Sequence, residues 1–294
     1  MFFDSDRPYD FSFLPAPEDL RDRVNSLFVL RTDEDVTTEI MPAYSAQLYV
    51  FLRGSGVMHF GCDEPNGNPP VFFVTTMLEA SDFTLRGPVR CIGVSLSHLG
   101  WACLASLPVN EVHDQNLSPE KVFAPQAAAR LSAIAENDPG EVDAVVNALC
   151  DFIRETSTEL KPLHAKMVSE TTDWLSSAFS PPLEELYDRI PLSKRQVQRL
   201  SKRYFGSPPA ALLKRFRAVR AAILLSHPDL SEASREEVFS AYFDQSHLIK
   251  DIRRYSGRTP RLLDRGSLVG STFNPEGHGE VAEPVRASLG KDSG

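Results

Sequence analysis

The feature that most constrains this chain is an internal repeat. Ser193-x3-Val197-x4-Lys202-Arg203-Tyr204-x-Gly206-x2-Pro209 is matched, 51 residues on, by Asp244-x3-Leu248-x4-Arg253-Arg254-Tyr255-x-Gly257-x2-Pro260. Each position has a physical meaning. Ser193 and Asp244 are N-caps, whose short side-chain oxygens accept from the first free amides of a helix. Ser193-x-x-Gln196 is also a capping box. Val197 and Leu248 fall one turn in, on the inward face. Gly206 and Gly257 stand where a helix of about three turns ends in a left-handed residue. Pro209 and Pro260 follow as breakers. The repeat specifies two capped, basic helices.

Each copy has a helix before it. Ser180-Pro181-Pro182 opens one with proline in the first turn, and Leu183, Leu186, Tyr187 and Ile190 form its apolar face. A short turn through Pro191-Leu192 leads to Ser193. The second copy follows a segment around Ser231–Tyr242, where Ser231 and Ser234 are both available as N-caps. Helix, short turn, basic helix is a helix-turn-helix, whose second helix enters the DNA major groove. Between the copies, Ala210–Leu225 is a strong helical pattern, roughly 24 Å long at 1.5 Å per residue. Such a strut suits two recognition helices about one DNA turn, some 34 Å, apart.

The chain as a whole is acidic, with a formal net charge of −9, which would argue against nucleic acid if the charge were uniform. Residues 165–265 hold 18 Lys+Arg and 12 Asp+Glu, against 13 and 28 in the remainder. Leu192–Arg220 carries nine cations and no acid: Lys194, Arg195, Arg199, Lys202, Arg203, Lys214, Arg215, Arg217 and Arg220. A basic block in an acidic chain points to an anionic partner.

Residues 181–263 resemble the double helix-turn-helix domain of the AraC/XylS family of bacterial transcription regulators. The likeness is carried by Leu192-Ser193-Lys194-Arg195-Gln196-Val197-Gln198-Arg199, Tyr204-Phe205-Gly206-Ser207-Pro208, Asp244-Gln245-Ser246-His247-Leu248 and Gly257-Arg258-Thr259-Pro260. The chain departs from the family pattern at Pro191 and Ala241, where turn glycines are usual, and at Ser201, where phenylalanine is usual. It departs again at Glu236-Glu237 in the second scaffold helix, whose packing and register stay open. The resemblance implies base reading from early exposed positions of each recognition helix. Helical geometry makes these Arg195, Gln198 and Arg199, then Gln245, Ser246, Ile249 and Lys250. Arginine suits guanine and glutamine suits adenine. Lys202, Arg203, Arg253, Arg254 and Arg258 are expected at phosphates. His247 reads as a cap-region residue.

Residues 1–120 read as mostly β. Gln47–Leu52 is a strand pattern, and Arg53-Gly54-Ser55-Gly56 followed by Val57–Phe60 signals a hairpin. Pro65–Pro70 is a loop; Val71–Thr75 and Cys91–Leu96 are further strands. Short strands with Gly/Pro turns favour a barrel or sandwich. Phe51, Phe60, Phe72, Phe73 and Phe83 either line a barrel mouth or fill its core. Ala127, Leu131, Ile134 and Ala135, then Val142, Val145, Val146, Leu149, Phe152 and Ile153, recur at helical spacing, with Asn137-Asp138-Pro139-Gly140 between them. The last 30 residues hold six of the chain's 16 glycines and read as a disordered tail.

The expected organisation is an α+β chain. It comprises a β-rich, cupin-like sensory or dimerisation domain (1–120), a helical connector (121–164), a double helix-turn-helix domain (165–265) and a tail (266–294). The connector would transmit a signal to the DNA-binding half. The resemblance implies a cytoplasmic, sequence-specific transcription regulator, with double-stranded DNA and RNA polymerase as partners, a small-molecule effector and a homodimer. An alternative is a regulator without ligand, acting through protein contacts. A more remote one is an enzyme with an appended DNA-binding domain. Gly93-Val94-Ser95-Leu96-Ser97 resembles a nucleophile elbow but lacks the fifth-position glycine. His59, His98 and His113 are scattered, so no metal and no cofactor are expected. Cys62, Cys91, Cys103 and Cys150 form no C-x-x-C pair and read as buried thiols of a reducing compartment. No run of 18 apolar residues marks a membrane span, and Met1–Asp6 lacks the basic start of a secretory signal.

Overall fold

The computed structural model describes residues 9–61, 68–136, 140–227, 230–263 and 282–292. Cys62, Pro65–Gly67 and Asn137–Pro139 lie outside these residues. The first half is one antiparallel sheet of seven strands: β1 (Asp10–Leu14), β2 (Val24–Thr32), β3 (Val36–Met41), β4 (Gln47–Met58), β5 (Val71–Val74), β6 (Ser81–Leu96) and β7 (Asn116–Leu117). The order is β1-β2-β6-β4-β5-β7, with β3 also paired to β6. β1 and β7 are not paired with each other, so the sheet is a curled, open form.

The hairpin expected at Arg53–Gly56 is absent. β4 runs straight through it as one 12-residue strand, paired along its length to β6, from Gln47↔Ser95 to Met58↔Phe83. Register shifts at Phe51/Arg53 and Arg53/Ser55 mark a bulge, and Gly54 sits there at φ +73°. A bulge uses the same φ-positive glycine that a turn would, and bends a strand instead of reversing it. The bend lets β6 serve β2 with one end and β3 with the other.

The curled sheet is covered on both sides. In β2, Leu27 and Val29 point one way and Phe28 and Leu30 the other, and all four are buried. The convex side, with Leu48, Val50, Ile92 and Val94, packs against helices α1 (His98–Leu104), α4 (Pro125–Glu136) and α5 (Val142–Thr156). Two four-residue helices, α2 (Val109–Val112) and α3 (Pro119–Val122), lie between α1 and α4. The concave side is filled by aromatic rings. Tyr49 stacks with Phe72 at 5.4 Å and Phe51 with Phe72 at 5.9 Å. Phe28 and Phe83 each lie 5.4 Å from Tyr49. The spaces left among them measure about 20 and 10 Å³, room for about one water. Phe51, Phe72 and Phe83 therefore fill the core. Phe73 lies on the other side, against Trp101 and Phe123.

The second half is helical: α6 (Pro162–Ser176), α7 (Leu183–Arg189), α8 (Lys194–Phe205), α9 (Pro209–Leu225), α10 (Glu232–Ser240), α11 (Gln245–Ser256) and α12 (Pro260–Leu263). Pro209 and Pro260 are not stops. Each opens the next helix, where its missing N–H costs nothing. α9 is buried along most of its length and joins two cores. One holds Leu186, Val197, Leu200 and Phe205 with α6; the other holds Val238, Leu248 and Ile252. The expectation of a disordered tail fails at its end. Glu283–Asp292 is a helix, α13, and its Val285 is buried in the second core. Residues 264–281 lie outside those described.

Cys91, Cys103 and Cys150 are buried free thiols. Burial pushes all three up from the ordinary thiol range.

Candidate nucleic-acid interface

The two units of the repeat take the same local form. Ser193 Oγ accepts from Gln196 N at 3.3 Å, and the Gln196 side chain returns a bond to Ser193 N at 3.0 Å. Asp244 accepts from His247 N at 2.8 Å and pairs with His247 Nδ1 at 3.0 Å. Those contacts, the backbone amide first, hold the Asp244 carboxyl below its ordinary value. Gly206 and Gly257 end the two helices at φ +81° and +71°. Ser231, rather than Ser234, caps the second scaffold helix. The departures from the family pattern are absorbed locally. Ser201 is buried and donates to the Ser207 carbonyl at 2.7 Å, while Glu236 and Glu237 sit on the exposed side of α10.

On α8, Val197, Leu200 and Tyr204 face inward, and Lys194, Arg195, Gln198, Arg199, Lys202 and Arg203 are exposed. Among the described residues, none of the five cations on this helix is ion-paired. On α11, Leu248 and Ile252 face inward, and Gln245, Ser246, Ile249, Lys250 and Arg253 are exposed. Each set forms one face.

Two of the residues expected at phosphates are already engaged. Arg254 binds Glu79 at 2.7 Å, and Arg258 binds Glu39. Both partners belong to the sheet half. The nine-cation block also divides. Arg215 is 2% and Arg220 1% exposed. Arg220 donates to the Leu175, Ala178 and Phe179 carbonyls, closing the end of α6. Arg215 donates to Met77 and Phe205 carbonyls at 3.3 and 3.4 Å. Burial lowers their pKa values to about 10 and about 9. Lys214 and Arg217 flank the buried Asp251 at 3.0 and 4.0 Å. These four cations hold the domain together, leaving the five on α8 for an anion.

One loop of the sheet half, residues 75–80, touches the ends of both recognition helices. A Cβ on Gly206 would stand 2.8 Å from Leu78 Cδ2, and one on Gly257 only 2.2 Å from Ile40 Cγ2. Ala80 N donates to the Arg254 carbonyl at 3.0 Å, and Ala43 N to the Tyr255 carbonyl at 2.8 Å. On the α8 side, the buried His98 imidazole lies 4.4 Å from the Phe205 ring. Its nitrogens make no well-formed hydrogen bond. Burial, with a smaller contribution from Arg215, drives its pKa down to about 3. The connector does not carry these contacts: α4 and α5 pack on the sheet. Sequence reasoning missed Glu39, Glu79 and the loop, because nothing in a linear pattern joins residues 175 or 219 positions apart.

Between the halves, Asn25, Tyr44, Ser45, Ser97, His98 and Phe216 line part of a cavity of about 230 Å³. Its wall is fixed: Asn25 Nδ2 donates to Ser45 Oγ and the Leu96 carbonyl, and Ser97 Oγ donates to the Asp22 carbonyl. Ser97 also caps α1, and Ser95 lies within β6, so no nucleophile elbow forms.

No protein-family model matches the chain. A curated relative, the HTH-type transcriptional activator RhaS of Escherichia fergusonii, is 34% identical over 96 residues, 32% of this chain and 34% of that protein. The chain thus matches about a third of the relative's length. Crystal structures of ToxT from Vibrio cholerae align with a TM-score of 0.43 at 9% identity, over 88% of this chain and 97% of theirs. One of ToxT from strain O395, bound to (E)-4-(8-methylnaphthalen-1-yl)but-3-enoic acid, gives 0.41 at 8%, over 87% and 97%. With the repeat, its caps and its left-handed stops in place, and a helix-turn-helix relative alongside, the chain is, through its double helix-turn-helix residues, a member of the AraC/XylS family.

Proposed function

We propose that the chain is a sequence-specific DNA-binding transcription regulator. In this reading residues 165–265 bind DNA and the sheet half controls them. The observation that carries it is the outer face of α8, where five exposed cations stand without a carboxylate beside Gln198. Arginine and glutamine on such a face pair bidentately with guanine and adenine in the major groove, and the remaining cations meet phosphate. On the family pattern, the targets are promoters and the output is contact with RNA polymerase.

Control by the sheet half is supported by the loop of residues 75–80 and by the Glu39 and Glu79 ion pairs, which engage arginines otherwise suited to phosphate. A small-molecule effector would sit in the 230 Å³ cavity, since the concave side of the sheet is filled. Tyr44 and Phe216 belong to its wall, and the Tyr44 carbonyl accepts from Met77 N in the loop. An occupant would therefore bear on the loop directly. To act, it must bind two arrangements of the halves unequally.

The test is selection of duplexes from a random library by the full chain, followed by affinity against salt. An enriched sequence whose binding weakens steeply with salt is expected, because phosphate contacts release counterions. Failure to enrich any sequence would overturn the reading.

A further inference from the structure

The tips of the two recognition helices are chemically unlike. α8 starts with Lys194 and Arg195 behind a neutral Ser193 cap. α11 starts with Gln245, Ser246 and His247 behind the anionic Asp244. A carboxylate at the tip repels phosphate, and no cation stands in the first turn to offset it. The second tip carries apolar surface instead. Phe243, immediately before the cap, is 94% exposed, the most exposed large hydrophobic side chain among the described residues. Its ring meets only the edge of His247, at 6.4 Å. Ile249, on the outer face of α11, is exposed as well.

We propose that Phe243, with Ile249, is a specificity-determining contact of the second helix-turn-helix, seated on the 5-methyl groups of thymines in the major groove. Three observations converge on that partner. The residue precedes the helix N-terminus, the end that reaches base edges in this motif. It continues the exposed face formed by Ser246, Ile249 and Lys250. It is aromatic, and the thymine methyl is the one apolar group the major groove displays, met by side chains such as phenylalanine. The two units then differ in what they read: guanine and adenine edges under α8, thymine methyls under α11. The inference rests on the DNA-binding reading above.

The experiment uses the full chain and a duplex it has enriched. Each thymine is replaced in turn by deoxyuridine, which removes only the methyl group. Wild type should lose about fourfold in affinity at one or more thymines of the α11 half-site, about 0.8 kcal/mol, the burial of one methyl. Phe243→Ala should show no such loss at those positions and keep the wild-type response elsewhere. Phe243→Leu should retain part of it. The side chain is in water, so both variants should unfold at the wild-type temperature. Uracil tolerated by wild type at every position overturns the proposal. So does a Phe243→Ala chain that binds every duplex like wild type, including one that has lost only promoter output, which would make Phe243 a protein contact. A chain that enriches no duplex overturns the DNA-binding reading, and this inference with it.

Discussion

The first and second helix-turn-helix units share a sequence pattern and a backbone form, yet they are attached to the sheet half by different forces. The first is held by apolar contact: Phe205 against His98, Gly206 against Leu78 and Val109. The second is held by charge and backbone hydrogen bonds: Arg254 to Glu79, Arg258 to Glu39, and the Ala80 and Ala43 amides to α11 carbonyls. Their outer faces differ in the same sense. α8 keeps its five cations for a partner, whereas α11 has three, one of them paired with Glu79. Duplication set the form, and later substitution gave each copy its own chemistry.

The largest effect should separate the two faces. Replacing Arg195 and Arg199 together with alanine should cost roughly 3–5 kcal/mol of binding to the enriched duplex, two bidentate contacts. Replacing Ser246 and Lys250 should cost only about 1–2 kcal/mol. Equal losses in quantitative binding assays would break the comparison.

Acid should act on the first attachment before the second. The unfolded chain carries the His98 imidazole at its ordinary 6.5 and the folded chain at about 3. Between those values the unfolded chain binds more protons, so stability falls as pH drops from 7 toward 3. At pH 4 the loss from this group is roughly 3 kcal/mol. His98→Phe, which keeps the ring contact with Phe205, should flatten thermal stability between pH 6 and 4. An unchanged profile would show that the imidazole is protonated in the folded chain.

The second attachment should yield to charge removal. Glu39→Gln with Glu79→Gln frees Arg258 and Arg254, and DNA affinity should rise about three- to tenfold, near 1 kcal/mol, as expected for partly exposed pairs. An unaltered affinity would mean that the pairs only fasten the halves. The smallest effect is in the salt dependence. Arg203→Ala should reduce the slope of log affinity against log salt by about one, and Arg254→Ala by much less, because Glu79 already neutralises it.

What could be read from the sequence was local. Ser193, Asp244, Gly206 and Gly257 act on neighbouring amides and carbonyls, so their spacing alone reveals two capped helices. Gly54 misled because a bulge and a turn demand the same left-handed residue, and only the pairing partner distinguishes them. Arg215 and Arg220 counted as surface charge, although carbonyls at the end of α6 and beside Met77 take them inside. Phe243 passed unnoticed because a phenylalanine in a helical stretch is ordinarily core. The ion pairs to Glu39 and Glu79 follow from how two halves meet, which no window along the chain contains.

The loop of residues 75–80 has a mechanical consequence. Two rods joined only by α9 could pivot, but a third member touching both far ends turns the hinge into a triangle, and a triangle cannot shear without changing the length of a side. The separation of the two recognition helices is then a rigid gauge. Inserting a single base pair between half-sites moves one of them about 3.4 Å along the duplex and about a tenth of a turn around it. A frame braced in this way would accept the operator at one spacing and reject its neighbours, until something loosens the brace.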